Sequence, residues 1–153
     1  MLKTDLIHPE ILRILGTAGH HAKILIADAN YPASTKKGPN CEVIYLNLAP
    51  GLPSVAQVLE CLLAVHPVEE AVIMDPLRED PAIAGYPEDW EPPVWKSYRE
   101  VFANSDQDQE LKKIQKWEYY DYVCDNDHLL TIQTGEQEMY ANICLATGVR
   151  RRD

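Results

Sequence analysis

The sequence predicts a mixed α/β domain built around a sheet with helices packed against it. Two observations favour this fold class. Helical and strand-like runs alternate along the whole chain, and the run KILIADA after His21 and Ala22 is continuously apolar from Ile24 to Ala27. A strand of this kind is typical of a sheet that is covered on both faces. The 153 residues suit a single domain spanning 1–153, because one core of ordinary size can serve a chain of this length.

The first half of the chain gives two helices and three strands. Pro9 suits a first helical turn, and Gly16 and Gly19 suit the end of the short helix in HPEILRILGTAGH. The strand KILIADA follows. After it, EVIYLNL predicts a second strand, LPSVAQVLECLLAVHP predicts an amphipathic helix between Pro53 and Pro67, and EAVIMDP predicts a third strand.

The second half begins with a long loop at 76–93, which contains five of the eleven prolines and many carboxylates. Connections of this length are uncommon in compact domains and usually carry function or a contact surface. Further along, VWKSYREVFANS predicts a helix, and KKIQKWEYYDYV predicts another helix or an aromatic-rich segment. HLLTIQTGE and ANICLATGV predict the closing strands.

Charge and composition exclude several classes of partner. The formal net charge of −10 repels nucleic acid phosphates and anionic membrane surfaces, so we expect a neutral small molecule or another protein. The charged N-terminus and the absence of a long apolar run predict a cytoplasmic protein without a signal peptide or membrane span. The four cysteines form no C-x-x-C pair, and we expect all of them to be reduced and structural.

Sequence motifs for cofactor chemistry are missing. The chain has no G-x-G-x-x-G, no G-K-[ST], no H-E-x-x-H and no G-x-S-x-G pattern. We therefore expect no bound cofactor and no metal. What remains is His20 before the first strand, Asp28 after it, and Tyr140–Asn142 at the last strand. These residues suit a ligand site at strand ends, or alternatively a helix cap and a hydrogen-bonded turn.

Two motifs at this spacing resemble a known family. The segments AGHHAKILIADANYP and TGEQEMYAN are similar to the end motifs of the ribose pyranase and fucose mutarotase family, RbsD/FucU. The segments PGLPSVAQVLECLL, PVWKSYREVF and KIQKWEYYDYV resemble the intervening part of that family, the last two its fucose branch. Essentially the whole chain is covered.

The resemblance implies a cofactor-free isomerase that interconverts the anomers, or the pyranose and furanose forms, of a free monosaccharide, with L-fucose or a related sugar expected. It also implies a compact three-layer α/β fold that assembles into homo-oligomeric rings, pentamers or decamers, with sites at subunit boundaries. An imidazole, with an ordinary pKa of about 6.5, can donate and recover a proton near neutrality. Ring opening is therefore within its reach.

The family's functional residues match positions of this chain. The resemblance implies catalytic roles for His20 and Tyr120, and sugar-binding roles for Asp28, Lys116, Tyr140, Ala141 and Asn142. Lys116 is a departure, because the family has arginine or histidine there, and lysine lacks the planar fork of arginine. His21 is another, and we expect a structural or rim role for it, because neighbouring side chains on an extended segment point to opposite faces.

The identity of the sugar and two other functions stay open. YAN follows the ribose branch whereas ANYPAS and PVW follow the fucose branch, so the motifs disagree about the sugar. The Lys116 departure also fits a sugar-binding or regulatory protein that has lost efficient turnover. A purely structural ring-forming role is a third possibility.

Overall fold

The computed structural model describes residues 1–151 and contains a six-stranded sheet in the order β2-β5-β1-β6-β3-β4. The strands are β1 (Lys23–Ala27), β2 (Glu42–Tyr45), β3 (Val68–Asp75), β4 (Leu111–Gln115), β5 (His128–Gln133) and β6 (Ile143–Thr147). The α-helices are α1 (Pro9–Leu15), α2 (Val55–Leu63), α3 (Val94–Asn104) and α4 (Lys116–Val123), and a short 3₁₀ helix covers Pro81–Ile83. The predicted mixed α/β class is confirmed.

Strand directions determine which residues meet at each edge of the sheet. β1 and β2 each pair with β5 in parallel, and β3 pairs with β4 in parallel. β6 lies between β1 and β3 and runs antiparallel to both. The carboxyl ends of five strands and the amino end of β6 therefore lie at one edge, which we call the carboxyl edge. The opposite edge carries the residues that precede β1 and β3.

The sheet is the middle of three layers, as expected from the resemblance. On one face Ile24, Ile26 and Ile73 pack with α1, α2 and α3 in the larger apolar cluster. On the other face Leu25 and Val72 pack with α4 and the segment after β1. Every residue of β1 is buried, as its continuous apolar run predicts. Because both faces are covered, the sheet is a rigid support for groups at its ends.

Local sequence signals explain where the main helices begin. Ser54 forms a capping box with Gln57 at the start of α2, in which each side chain bonds the other residue's backbone N–H. His8 accepts a hydrogen bond from the Ile11 N–H at the start of α1, just before Pro9. Both helices therefore begin where a side chain satisfies an otherwise unpaired backbone donor.

The segment KKIQKWEYYDYV departs from its prediction as one helix or aromatic-rich segment. It splits at Gln115 into the end of β4 and the whole of α4, and the Gln115 side chain accepts a hydrogen bond from the Trp117 N–H at the junction. The 76–93 segment is a loop as predicted, interrupted by the 3₁₀ turn. All four cysteines are free, as expected. Among the described residues no helix has the length and apolar character needed to cross a membrane.

Candidate functional site

A small pocket opens at the carboxyl edge of the sheet, where β1, β3, β4 and β6 end or begin. Its volume is about 170 Å³, and its lining residues are Asp28, Asn30, Tyr31, Met74, Asp80, Ala82, Lys116, Tyr120, Met139, Tyr140 and Asn142. Pockets for drug-sized ligands measure roughly 300–1,000 Å³. This pocket therefore suits a smaller polar ligand, of the size of a monosaccharide.

Asp28 and Asn142 form a reciprocal pair on the pocket floor. The Asp28 backbone N–H donates to Asn142 Oδ1 at 2.9 Å, and Asn142 Nδ2 donates to Asp28 Oδ2 at 2.9 Å. Asp28 Oδ1 accepts a further bond from the Asn30 N–H at 2.9 Å. Burial raises the pKa of Asp28 to about 6, against the lowering effect of these hydrogen bonds. Asp28 is therefore a carboxylate at neutral pH that gains a proton in mildly acidic solution.

Asp80 joins two other walls of the pocket. Its Oδ2 accepts the Tyr140 hydroxyl at 2.6 Å and Lys116 Nζ at 2.9 Å, and its Oδ1 accepts the Ala82 N–H at 3.0 Å. The Tyr140 hydroxyl bond, followed by the Ala82 N–H and the Lys116 ammonium, lowers the pKa of Asp80 to about 2. The loop at 76–93 thus places a permanent negative charge at the pocket, and Lys116 faces it with a positive one.

Aromatic and thioether groups form the less polar part of the pocket. Tyr31 and Tyr120 have ring centroids 5.7 Å apart, and Trp117 lies 5.9 Å from Tyr120 at the exposed rim. Burial raises the pKa of the Tyr120 hydroxyl, so this group stays protonated at neutral pH. Together with Met74 and Met139, these rings can contact the C–H face of a sugar.

The segment Tyr140–Asn142 reaches the pocket through an unusual backbone conformation. Tyr140 has a φ of 59°, in the left-handed region that non-glycine residues rarely adopt. This turn directs the Tyr140 ring and the Asn142 amide to the same pocket. Ala141 between them is fully buried, and its carbonyl accepts the Tyr98 hydroxyl at 2.6 Å. Ala141 supports the turn through its backbone and is not one of the lining residues.

His20 lies at the opposite edge of the sheet, before β1. The six residue steps from Ala22 to Asp28 span roughly 20 Å at the rise of a β-strand, so His20 of the same chain is outside this pocket. Its side chain is 46% exposed, and its Nε2 lies 2.8 Å from Glu69 Oε2. His21 Nδ1 lies 2.9 Å from the other oxygen of Glu69. Among the residues that the structure describes, these three each place one ligand atom where the set could hold a metal ion.

The expected orientation of His21 is wrong. Its φ of 69° places it in the left-handed region, so the segment is not extended there. As a result the two imidazole rings stack on the same side, with centroids 3.7 Å apart. The alternation rule on which the expectation depended applies only to extended backbone.

The structure therefore brings together most of the residues that the sequence singles out. Asp28, Lys116, Tyr120, Tyr140 and Asn142 line one pocket. Ala141 lies behind it, and His20 lies at the far edge. Sequence reasoning missed Asp80, Ala82, Met74 and Met139 as lining residues. For Asp80 the sequence does contain an indication, because it lies in the 76–93 loop, which is expected to carry function or a contact surface.

Comparisons with known proteins cover nearly the whole chain. A profile of the RbsD / FucU transport protein family matches residues 1–150. Fucose mutarotase of Mus musculus is 30% identical over 145 residues, 92% of this chain and 88% of the relative. D-ribose pyranase of Variovorax paradoxus is 32% identical over 149 residues, 97% of this chain and 98% of the relative. The solved structure of Bacillus subtilis RbsD complexed with D-ribose superposes with a TM-score of 0.73 at 26% identity, covering 99% of this chain and all of that one.

Proposed function

This chain belongs to the RbsD / FucU transport protein family, and from that membership we propose that it is a cofactor-independent mutarotase or pyranase of a free aldose. Its relatives are named fucose mutarotase and D-ribose pyranase, which supports an enzyme that interconverts sugar anomers. The proposed reaction opens the hemiacetal ring and recloses it on either face of the carbonyl group.

Ring opening needs two proton transfers. The anomeric hydroxyl loses a proton as its oxygen becomes a carbonyl, and the ring oxygen gains a proton as its bond to the anomeric carbon breaks. Reclosure reverses both transfers. Well-placed general acid and base groups accelerate such steps by roughly 10² to 10⁴-fold. Since the reaction also proceeds in water without an enzyme, an acceleration of this size is useful.

The Asp28–Asn142 pair is the observation that carries the proposal. Both side chains are 4% exposed, yet both line the pocket. The carboxylate keeps lone pairs for sugar hydroxyls, and the amide has both a donor and an acceptor. Hydrogen bonds from a built pair of this kind can fix two neighbouring hydroxyls of a sugar ring. We assign sugar binding to Asp28 and Asn142, with Tyr140 and Lys116 on the adjoining wall.

The proton transfers require a further group, and we assign them to Tyr120 and to His20 of a second copy of the chain. Tyr120 lines the pocket with a protonated hydroxyl. His20 is exposed at the opposite edge of the sheet, where a neighbouring subunit can present it. A head-to-tail contact of this type generates a ring when the rotation between neighbouring subunits closes. The assembly that we propose, following the family resemblance, is a homo-oligomeric ring, a pentamer or a decamer, with sites at subunit boundaries.

The proposed sugar is L-fucose or a related aldose. The fucose mutarotase relative supports this choice, and so does the apolar part of the pocket. Met74, Ala82 and Met139 lie among the polar groups and can contact a methyl group such as the one at C6 of fucose. D-ribose, which is bound in the Bacillus subtilis structure, is the main competitor.

Sugar binding without turnover is the second candidate. Lys116 Nζ is bonded to Asp80, so the lysine ammonium is partly engaged before any sugar arrives. A lysine held in this way gives a point charge where the family has arginine or histidine. This arrangement would preserve binding while weakening the stabilisation of charge during ring opening.

Anomeric exchange measured by NMR separates the two candidates. Saturation transfer between the α and β anomeric protons of L-fucose, D-ribose and D-galactose is recorded with and without protein. We expect faster exchange on at least one sugar, in proportion to protein concentration, and a loss of roughly 10²-fold or more in H20A. Binding by calorimetry without exchange on any sugar would support the second candidate. The absence of both sugar binding and anomeric exchange would rule out both candidate functions.

A further inference from the structure

The cluster of His20, His21 and Glu69 at the far edge of the sheet is the strongest feature outside the pocket. The Glu69 carboxylate bonds both imidazoles, His20 Nε2 at 2.8 Å and His21 Nδ1 at 2.9 Å. Each residue offers one ligand atom, and these atoms lie within 4.8 Å of one another. The three side chains thus converge on one point from two separate segments of the chain.

The backbone holds the two histidines in this arrangement at a cost. His21 adopts a left-handed φ of 69°, a conformation that is unfavourable for a residue with a side chain. The His21 N–H donates to the Thr147 carbonyl at 3.0 Å, which fixes the turn to β6. Without this turn, adjacent imidazoles would point to opposite sides. The strained conformation is therefore what makes a two-histidine cluster from neighbouring residues.

We propose that His20, His21 and Glu69 bind a divalent transition-metal ion of the zinc class. Two imidazole nitrogens and one carboxylate oxygen are ligands that zinc accepts, with bonds of about 2.0–2.2 Å. Tetrahedral ligands at such distances lie roughly 3.4 Å apart. The two His–Glu contacts, at 2.8 and 2.9 Å, are shorter than this spacing, and all three ligand atoms lie within 4.8 Å of one another. Side-chain shifts of about an ångström therefore bring the three ligand atoms into coordination. His20 and Glu69 line an open cavity of about 590 Å³, from which water can complete the coordination shell.

A consequence for activity follows, and it rests on the proposed function. The metal would occupy His20 Nε2, which could then neither donate nor accept a proton at a sugar bound to a neighbouring subunit. The ion would therefore be an inhibitor and not a cofactor. His21 belongs only to the metal site, so its removal separates metal binding from catalysis.

Zinc binding is measured first, independently of activity. Equilibrium dialysis of the full chain against Zn²⁺ alone is expected to give one tightly bound ion per chain. The H21N and E69Q variants are expected to bind at least tenfold more weakly. Asparagine tolerates the left-handed backbone, so H21N preserves the turn. The matched control is H8N, which removes the other partly exposed histidine while keeping a good helix cap.

Imidazole ¹H–¹⁵N spectra assign the ligands. Zn²⁺ should shift the resonances of His20 Nε2 and His21 Nδ1 and leave those of the buried His66 and His128 in place. Melting curves of H21N and E69Q show whether each variant is folded, and either folded variant suffices for the test. No binding by the parent, or equally tight binding by both variants, would overturn the proposal.

Activity assays then test the inhibitory role. Zn²⁺ at about ten times the dissociation constant of the parent should slow anomeric exchange by the parent about tenfold. At that concentration H21N, which binds at least tenfold more weakly, should stay within about twofold of its metal-free rate. Equal inhibition of the parent and H21N would refute inhibition through this site. If the parent shows no exchange at all while Zn²⁺ still binds as described, the proposed function fails and the metal site stands.

Discussion

Asn142 holds Asp28 through both ends of its amide, accepting the Asp28 N–H at Oδ1 and donating to the Asp28 carboxylate from Nδ2, each at 2.9 Å. The contact joins the carboxyl end of β1 to the amino end of β6, its antiparallel neighbour. Both residues are only 4% exposed, so little water reaches the bonds between them. The pair therefore has both a structural and a ligand-binding role.

Truncation of this amide should destabilise the protein. In N142A the Asp28 N–H and one carboxylate oxygen lose their partners, and each unsatisfied buried group costs about 1–3 kcal/mol. We expect the free energy of unfolding, measured with urea, to fall by about 2–6 kcal/mol. N104A, at the exposed end of α3, is the control and should change it by less than about 0.5 kcal/mol. Equal effects of the two variants would refute the assigned contact.

The raised pKa of Asp28 predicts how stability depends on pH. Its pKa is about 6 in the folded chain against an ordinary value of 3.8, so the folded state binds the proton more tightly than the unfolded state. Stability from this group is therefore fully present below about pH 4 and is lost as the pH rises through 6. A change of this size corresponds to up to about 3 kcal/mol.

The D28N variant isolates that contribution, because asparagine does not titrate. The free energy of unfolding of D28N minus that of the parent should increase from pH 4 to pH 7.5, by up to about 3 kcal/mol. Urea titrations at several pH values give this difference directly, and other titrating groups cancel from it. Parallel pH curves for D28N and the parent would show that the Asp28 pKa is not raised.

Asp80 predicts a link between the 76–93 loop and the sugar. D80N removes the charge that holds both Tyr140 and Lys116, so the loop should exchange its amide hydrogens faster and the sugar should bind about tenfold more weakly. Hydrogen exchange and calorimetry measure the two effects. E79Q alters the adjacent exposed carboxylate and should leave both unchanged. If amide hydrogen exchange of the loop and sugar affinity were both unchanged in D80N, the role assigned to Asp80 in the site would be wrong.

The sequence predicted most of the fold because its strongest signals are local. The strand β1 has a continuous apolar run, the helix α2 has a capping box, and the helix α3 has helical periodicity. β4 was missed because it is an outermost strand of the sheet and pairs only with β3. Lys112 and Lys113 therefore remain exposed, and no apolar run appears. The helix α4 follows without a linker, which hides the boundary.

The candidate site was predictable only in part, for a similar reason. Asp28 and Asn142 stand at strand ends, and strand direction brings such residues to one edge. Asp80 comes from a loop whose path no periodicity specifies. The turn at His21 depends on a left-handed backbone that histidine rarely adopts, and pattern rules for strands therefore placed its side chain on the wrong side.

Mixed oligomers test whether the proposed site is shared between subunits. H20A and D28N should each be nearly inactive alone, because each lacks one required side chain in every site. If the Asp28 pocket of one subunit uses His20 of the next, random co-assembly at equal amounts leaves about a quarter of the sites intact. Co-expressed H20A and D28N should then show about a quarter of the parental exchange rate, measured by anomeric saturation transfer.

D28N co-expressed with Y120F is the control, since both changes lie in the same pocket and no combination restores it. Absence of rescue in mixed rings, with both variants folded and assembled, would contradict a shared site, because His20 of the same chain lies at the opposite edge of the sheet.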